Sequence, residues 1–95
     1  MIQVITTLRV QKGCADKFLQ LAEPLVKVGQ KNKGNLFFHL SQSEDDPMEM
    51  VFLENWKDQA SSDAHKATDE FNTICPKLLD LCDGEMHGTV YHTDL

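Results

Sequence analysis

Apolar and polar positions alternate at the start of the chain. Ile2, Val4, Thr6, Leu8 and Val10 interleave with Gln3, Ile5, Thr7 and Arg9, and this period of two predicts a first strand. Lys12-Gly13 ends it. The period then changes. Phe18, Leu21, Ala22, Leu25 and Val26 recur at helical spacing and predict an amphipathic helix from about Ala15 to Lys31. Asp16 lies in its first turn, and Lys27, Lys31 and Lys33 crowd its far end, as the helix dipole favours. Pro24 removes one helical hydrogen bond and predicts a bend, but the stripe continues past it, so a single helix is expected. Gly34 is the stop.

Asn35 to Ser41 predicts a second strand, with Leu36, Phe38 and Leu40 on one face and Phe37, His39 and Ser41 on the other. The acidic turn Glu44-Asp45-Asp46-Pro47 leads into a third strand, Met48 to Trp56, paired with the second as a hairpin. Asp58 is a natural N-cap for a short helix holding Ala60, Ala64 and His65. Thr68 caps another, whose stripe is Phe71, Ile74, Cys75, Leu78 and Leu79, with Pro76 as a second kink. Asp83-Gly84 ends it, and Glu85 to Thr93 alternates weakly as a last strand. Strand, helix, strand, strand, helix, strand is the order of the ferredoxin-like α+β fold, an antiparallel sheet with its helices on one face. The whole chain, 1–95, reads as a single domain.

Helices on one face leave the other bare. Yet Phe37, Val51 and Leu53 are apolar on the face opposite Phe38, Phe52 and Trp56. Strands apolar on both sides have both sides covered, and large exposed apolar patches mark interfaces. The expected cover is a second copy, packed sheet to sheet as a homodimer.

Charge and cysteine usage narrow the function classes. A net charge of −6 with scattered Lys and Arg lacks the basic footprint of a nucleic-acid binder. It also gives no attraction to anionic membranes. No apolar run reaches the roughly 20 residues of a membrane span, and Met1 leads straight into strand-like sequence without a signal segment. Cys14, Cys75 and Cys82 form no Cys-x-x-Cys pair. A soluble cytoplasmic protein with reduced thiols is expected.

Candidate chemistry centres on Met48 to His65. Glu54 and Trp56 share a strand face with Phe52 and Met50. A carboxylate among rings is costly without a partner or a task; the bland alternative is a core Trp56 and a Glu54 paired with Lys or Arg. His65 exchanges protons near neutral pH. From the short helix it projects into the gap between helices and sheet, or else out to solvent. Ser61 and Ser62, four and three residues before His65, are candidate hydrogen-bond partners for it. Cys75 and Cys82 fit core packing. Cys14, near a helix start, has the position of a stabilised thiolate but nothing else of a nucleophile. The Cys and His spacings match no metal-ligand pattern, and no phosphate or dinucleotide loop is present.

With Lys12-Gly13 before the first helix, Gly34-Asn35-Leu36 opening the second strand, Glu54-x-Trp56, His65, Phe71 and the Leu78-Leu79 stripe, the chain resembles the antibiotic biosynthesis monooxygenase family over nearly its whole length. The resemblance implies a ferredoxin-like protomer in a dimeric α/β barrel. It implies oxidation of a quinol or similar electron-rich aromatic by O₂ with no flavin, haem or metal. It assigns His65 as base or proton shuttle and Glu54 as the group orienting substrate or His65, with Trp56, Phe38 and Phe52 as pocket walls. Two relatives compete. Haem-degrading members resemble the chain at Trp56 and His65 but use an asparagine where this sequence has Thr6, which disfavours that activity. The phospho-autoinducer-2 isomerase resembles His65-Lys66-Ala67-Thr68 and Cys75-x-Lys77-Leu78, and resembles the chain less at Trp56. A non-catalytic ligand-binding dimer is the third reading.

Overall fold

A computed structural model describes residues 1–93 and 95. The elements are β1 (Ile2–Arg9), α1 (Ala15–Lys31), β2 (Asn35–Gln42), β3 (Glu49–Trp56), α2 (Gln59–Lys66), α3 (Asp69–Asp80) and β4 (His87–His92). All strand pairs are antiparallel, in the order β2-β3-β1-β4. This is the ferredoxin-like α+β arrangement expected from the pattern, with three helices against one face.

The caps act as read from the sequence. Asp58 accepts from the Ser61 backbone N–H, and the Thr68 side chain accepts from that of Phe71. Gly13 takes the left-handed conformation, with φ of 82°, that the turn out of β1 requires. Both α1 and α3 run through their prolines without a break. Pro24 and Gln20 are exposed, as are Pro76 and Asn72. The carbonyl left without its helical donor is therefore on the wet side, where water satisfies it.

Residues two apart share a sheet face, and facing partners in the register do too. Leu8 and Met50, Thr6 and Phe52, Val4 and Glu54, Ile2 and Trp56 therefore point toward the helices, with Leu40 and Phe38 on β2. Phe18, Ala22 and Leu25 of α1 and Leu78 of α3 close on this face, and Trp56, Phe18, Phe38, Leu78 and Val10 are the largest fully buried side chains. The opposite face carries Ile5, Leu53, Val51, Phe37 and Tyr91; Phe37 is 43% exposed and Tyr91 50%.

Three expectations change. The pairing shifts between Asn35 and Phe37, so Leu36 is an extra residue, 58% exposed, and does not share the inner face with Phe38. The bulge breaks the parity that alternation assumes. The last strand begins at His87, not Glu85. Cys82 lies past the end of α3, where it is buried beside Val10 in an isolated bridge. Among the described residues no helix is long and apolar enough to cross a membrane.

Candidate functional site

A hollow of about 130 Å³ lies between the inner sheet face and the helices. The sheet contributes Thr6, Phe38, Phe52 and Glu54; α1 contributes Leu25, α2 His65, and α3 Phe71, Cys75 and Leu78, with Met86 from the approach to β4. Strand alternation brings Phe52 and Glu54 to the same side, and the β2–β3 register sets Phe38 opposite Glu54. The Asp58 cap starts α2 immediately after β3, which turns His65 back over the end of the sheet.

His65 is 3% exposed and sits among three rings. Its centroid is 5.1 Å from Trp56 and 5.1 Å from Phe38, and 5.5 Å from Phe71. Its Nδ1 is buried without a hydrogen-bond partner among the described residues. Leaving such a group unpaired costs about 1–3 kcal/mol. Burial, helped by the positive charge of Lys66, pushes its pKa below the ordinary 6.5. The imidazole is therefore neutral at physiological pH and free to take a proton.

Glu54 is held by its neighbour two residues on. The Trp56 Nε1–H donates to Glu54 Oε1 at 3.1 Å, which is possible because both side chains leave the strand on one face. Burial pushes the Glu54 carboxyl above its ordinary range, opposed by the Trp56 hydrogen bond and by Lys66. No lysine or arginine is within ion-pair distance of it among the described residues. The cavity thus presents a neutral imidazole and a carboxyl biased toward its protonated form, between apolar walls.

Each residue singled out in the sequence has a definite place. His65, Glu54, Phe38 and Phe52 line one cavity. Trp56, 0% exposed, stands behind the wall, where it touches the His65 ring and fixes Glu54. No hydrogen bond joins Glu54 to His65 among the described residues. Ser61 does not serve His65: its hydroxyl donates to Asp58 Oδ1 at 2.6 Å, inside the cap. Cys75, expected as core, is a wall residue, half-buried, its thiol pushed up by burial and by Glu54. Its place on the Phe71–Leu78 stripe was visible; that this stripe faces a hollow was not. Thr6 was legible only through its register opposite Phe52.

The profile of the family described as antibiotic biosynthesis monooxygenase matches residues 1–77. No curated protein sequence matches the chain. Among solved structures, a conserved protein from Methanosarcina mazei Go1 is similar at 28% identity and a TM-score of 0.93, over 98% of this chain and 92% of that one. An antibiotic biosynthesis monooxygenase is similar at 26% identity and 0.91, over 98% of each chain. A putative antibiotic biosynthesis monooxygenase from Nitrosomonas europaea, at 24% identity and 0.94 over the full length of both, shares the fold. The chain belongs to the antibiotic biosynthesis monooxygenase family.

Proposed function

We propose that the protein is a monooxygenase that oxidises a quinol or similar electron-rich aromatic with O₂, without a cofactor. The observation that carries this reading is the buried His65, its Nδ1 without a hydrogen-bond partner among the described residues, on the wall of a ring-lined hollow. A phenolic substrate must lose a proton before it is electron-rich enough to reduce O₂, and a desolvated neutral imidazole is a base suited to that step. In the balanced reaction the substrate ring as a whole gives up four electrons, shared between the carbon that gains oxygen and the carbons whose hydroxyls become carbonyls. One atom of O₂ is inserted at a ring C–H as a new hydroxyl or carbonyl oxygen, and the other leaves as water with two hydrogens from the substrate. His65 takes the phenolic proton, Phe38 and Phe52 hold the ring, Trp56 backs His65, and Glu54 orients the substrate.

Among the described residues no lysine or arginine lines the cavity, which favours a neutral aromatic over the phosphorylated ketone of the isomerase reading. The test is oxygen uptake on a panel of quinols by wild type and His65→Ala. Uptake by wild type with a loss of about 10²-fold or more in the variant is expected for a general base. Equal uptake removes His65 from the role. Conversion of a phosphorylated dihydroxyketone without oxygen uptake gives the isomerase, and tight binding without turnover gives a ligand-binding module.

The working species in this reading is a cytoplasmic homodimer. Phe37, Leu53, Ile5 and Tyr91 on the open sheet face would be covered by a second copy, giving the dimeric α/β barrel. Sedimentation at micromolar concentration is expected to give twice the 10.8 kDa of one chain, reverting to one chain in Leu53→Glu. A wild-type 10.8 kDa species removes the dimer.

A further inference from the structure

The proposed reaction does not say what the cavity holds on to, but the arrangement at Glu54 does. Its Oε1 already accepts the Trp56 Nε1–H. Its Oε2 receives no bond from any described residue. The residues paired with Glu54 on the flanking strands, Val4 and Phe38, bring no polar side chain. The cavity walls around it are mostly apolar, with Leu25, Phe52, Phe71, Leu78 and Met86, and the other polar lining side chains, Thr6, His65 and Cys75, make no hydrogen bond to Glu54 among the described residues. A carboxylate with a single neutral donor in such surroundings is unfavourable. A carboxylic acid is not, and the oxygen free to carry the proton is Oε2.

The size of the hollow adds a second constraint. An apolar cavity of about 150 Å³ takes benzene, and this one is about 130 Å³. One six-membered ring fills it, and further fused rings would extend past its walls.

We propose that the cavity selects monocyclic ligands with an oxygen acceptor, which takes the Glu54 O–H, and that Trp56 is the positioning residue aiming that donor. The ligand class is a single-ring quinol or its carbonyl product. This rests on the reading of the hollow as the substrate site, not on turnover. Trp56 acts through Glu54: its indole occupies one carboxyl oxygen and so leaves the other for the ligand. The imidazole of His65, on the same wall system, then faces the bound ring from α2.

The experiment measures binding without oxygen, by chemical-shift titration of the full chain with three probes. Cyclohexanone carries one ring and a carbonyl. Methylenecyclohexane has the same shape with CH₂ in place of the oxygen. Anthrone has a carbonyl and three rings. Wild type is expected to prefer cyclohexanone over methylenecyclohexane by about tenfold, the value of one well-placed neutral hydrogen bond, and not to take anthrone. Glu54→Gln, which keeps an N–H donor, is expected to retain most of the preference. Glu54→Leu is expected to bring the ratio to about one, and Trp56→Phe to lower it severalfold while methylenecyclohexane binding holds. The ratio of two probes on one folded sample is insensitive to a general loss of structure. A wild-type ratio near one, no binding of either small probe, a ratio unchanged in Glu54→Leu, or anthrone binding as well as cyclohexanone each overturns the proposal. Selective cyclohexanone binding by a protein that oxidises no quinol would sink the monooxygenase reading and leave this one standing.

Discussion

Gly29 is buried on α1 against Phe38. A Cβ built at this position would lie 2.5 Å from Phe38 Cδ2 and 2.7 Å from Cε2. Ordinary carbon contacts begin near 3.5 Å, so Gly29→Ala requires the ring or the helix to move by roughly 1 Å. The ring has little room. Phe38 is 2% exposed and meets His65, Trp56 and Phe52 edge-on at centroid distances of 5.1, 6.1 and 6.3 Å. The open direction is the hollow. Two effects then compete. Alanine is better than glycine inside a helix by about 1 kcal/mol, while overpacking a filled core costs about 1–3 kcal/mol. The clash is against a stiff ring, so it wins, and a net loss of about 1 kcal/mol is expected. In a domain of this size that lowers Tm by roughly 4–8 °C.

The assay is urea unfolding of wild type, Gly29→Ala, Phe38→Leu and the double variant, with cyclohexanone titration of each. In the double variant the smaller side chain removes the clash, so the two changes should couple by more than about 0.5 kcal/mol. Probe affinity should fall in Gly29→Ala, because the displaced ring takes up the cavity. A Gly29→Ala protein that is more stable by the helix-propensity amount, with unchanged probe binding, would refute the argument that this glycine exists to let Phe38 form the wall.

Thr68→Ala removes the side-chain oxygen that accepts from the Phe71 N–H; it should cost about 1 kcal/mol in urea unfolding, and no change would show that the cap is redundant. His65 has its pKa lowered on folding, below 6.5, by burial and then by Lys66. The unfolded imidazole therefore protonates first, and stability should decline as pH falls below about 6.5. Glu54 has its pKa raised above 4.5 by burial, so its contribution is fully present below that pH and is lost as pH rises through the folded value. Urea midpoints of His65→Gln and Glu54→Gln across pH 4–8 should flatten the acid and the alkaline slope respectively, and parallel curves would contradict the burial of both groups. Cys75→Leu fills part of the hollow, so it should raise Tm while abolishing cyclohexanone binding; a gain in stability with binding intact would place the ligand elsewhere.

Most of the scaffold was legible because its signals are local. The alternation from Ile2 to Val10, the Phe18–Leu25 stripe and the caps at Asp58 and Thr68 each involve residues within a few positions of one another, and local chemistry decides them. What failed depended on partners far along the chain. Leu36 was assigned inward by parity, and only its pairing with β3 reveals the bulge. The prolines at 24 and 76 read as faults because exposure of the freed carbonyls is a tertiary property. At the site, the shared face of Glu54 and Trp56 follows from strand geometry alone, whereas the hydrogen bond from Trp56 to Glu54 was not read from the sequence, which offered His65, substrate or a basic side chain as the partner of Glu54. The depth of His65 did not, because a polar helix of this length gives no sign of which turn faces the core. Cys75 shares a stripe with residues that are core, and a sequence pattern does not distinguish a packed stripe from one that borders a void.

That void is itself an argument about function. At about 24 cal/mol per Å³, side-chain packing given up over a hollow of about 130 Å³ forgoes at most roughly 3 kcal/mol. Domains of this length are stable by roughly 5–15 kcal/mol, so the sum is not negligible. Close-packing would be easily reached: the walls are flexible Met86 and Leu78 and small Thr6 and Cys75, any of which a larger apolar residue would replace. The same space also holds a carboxyl with one hydrogen bond and an imidazole nitrogen with none. Replacing the imidazole by an apolar side chain would remove one desolvation penalty, and replacing the carboxyl together with its indole partner by apolar groups would remove a second. A scaffold selected only to fold and pair through its open sheet face has no reason to keep three unfavourable features in one place. A chain that must admit a ring and exchange a proton with it needs all three together.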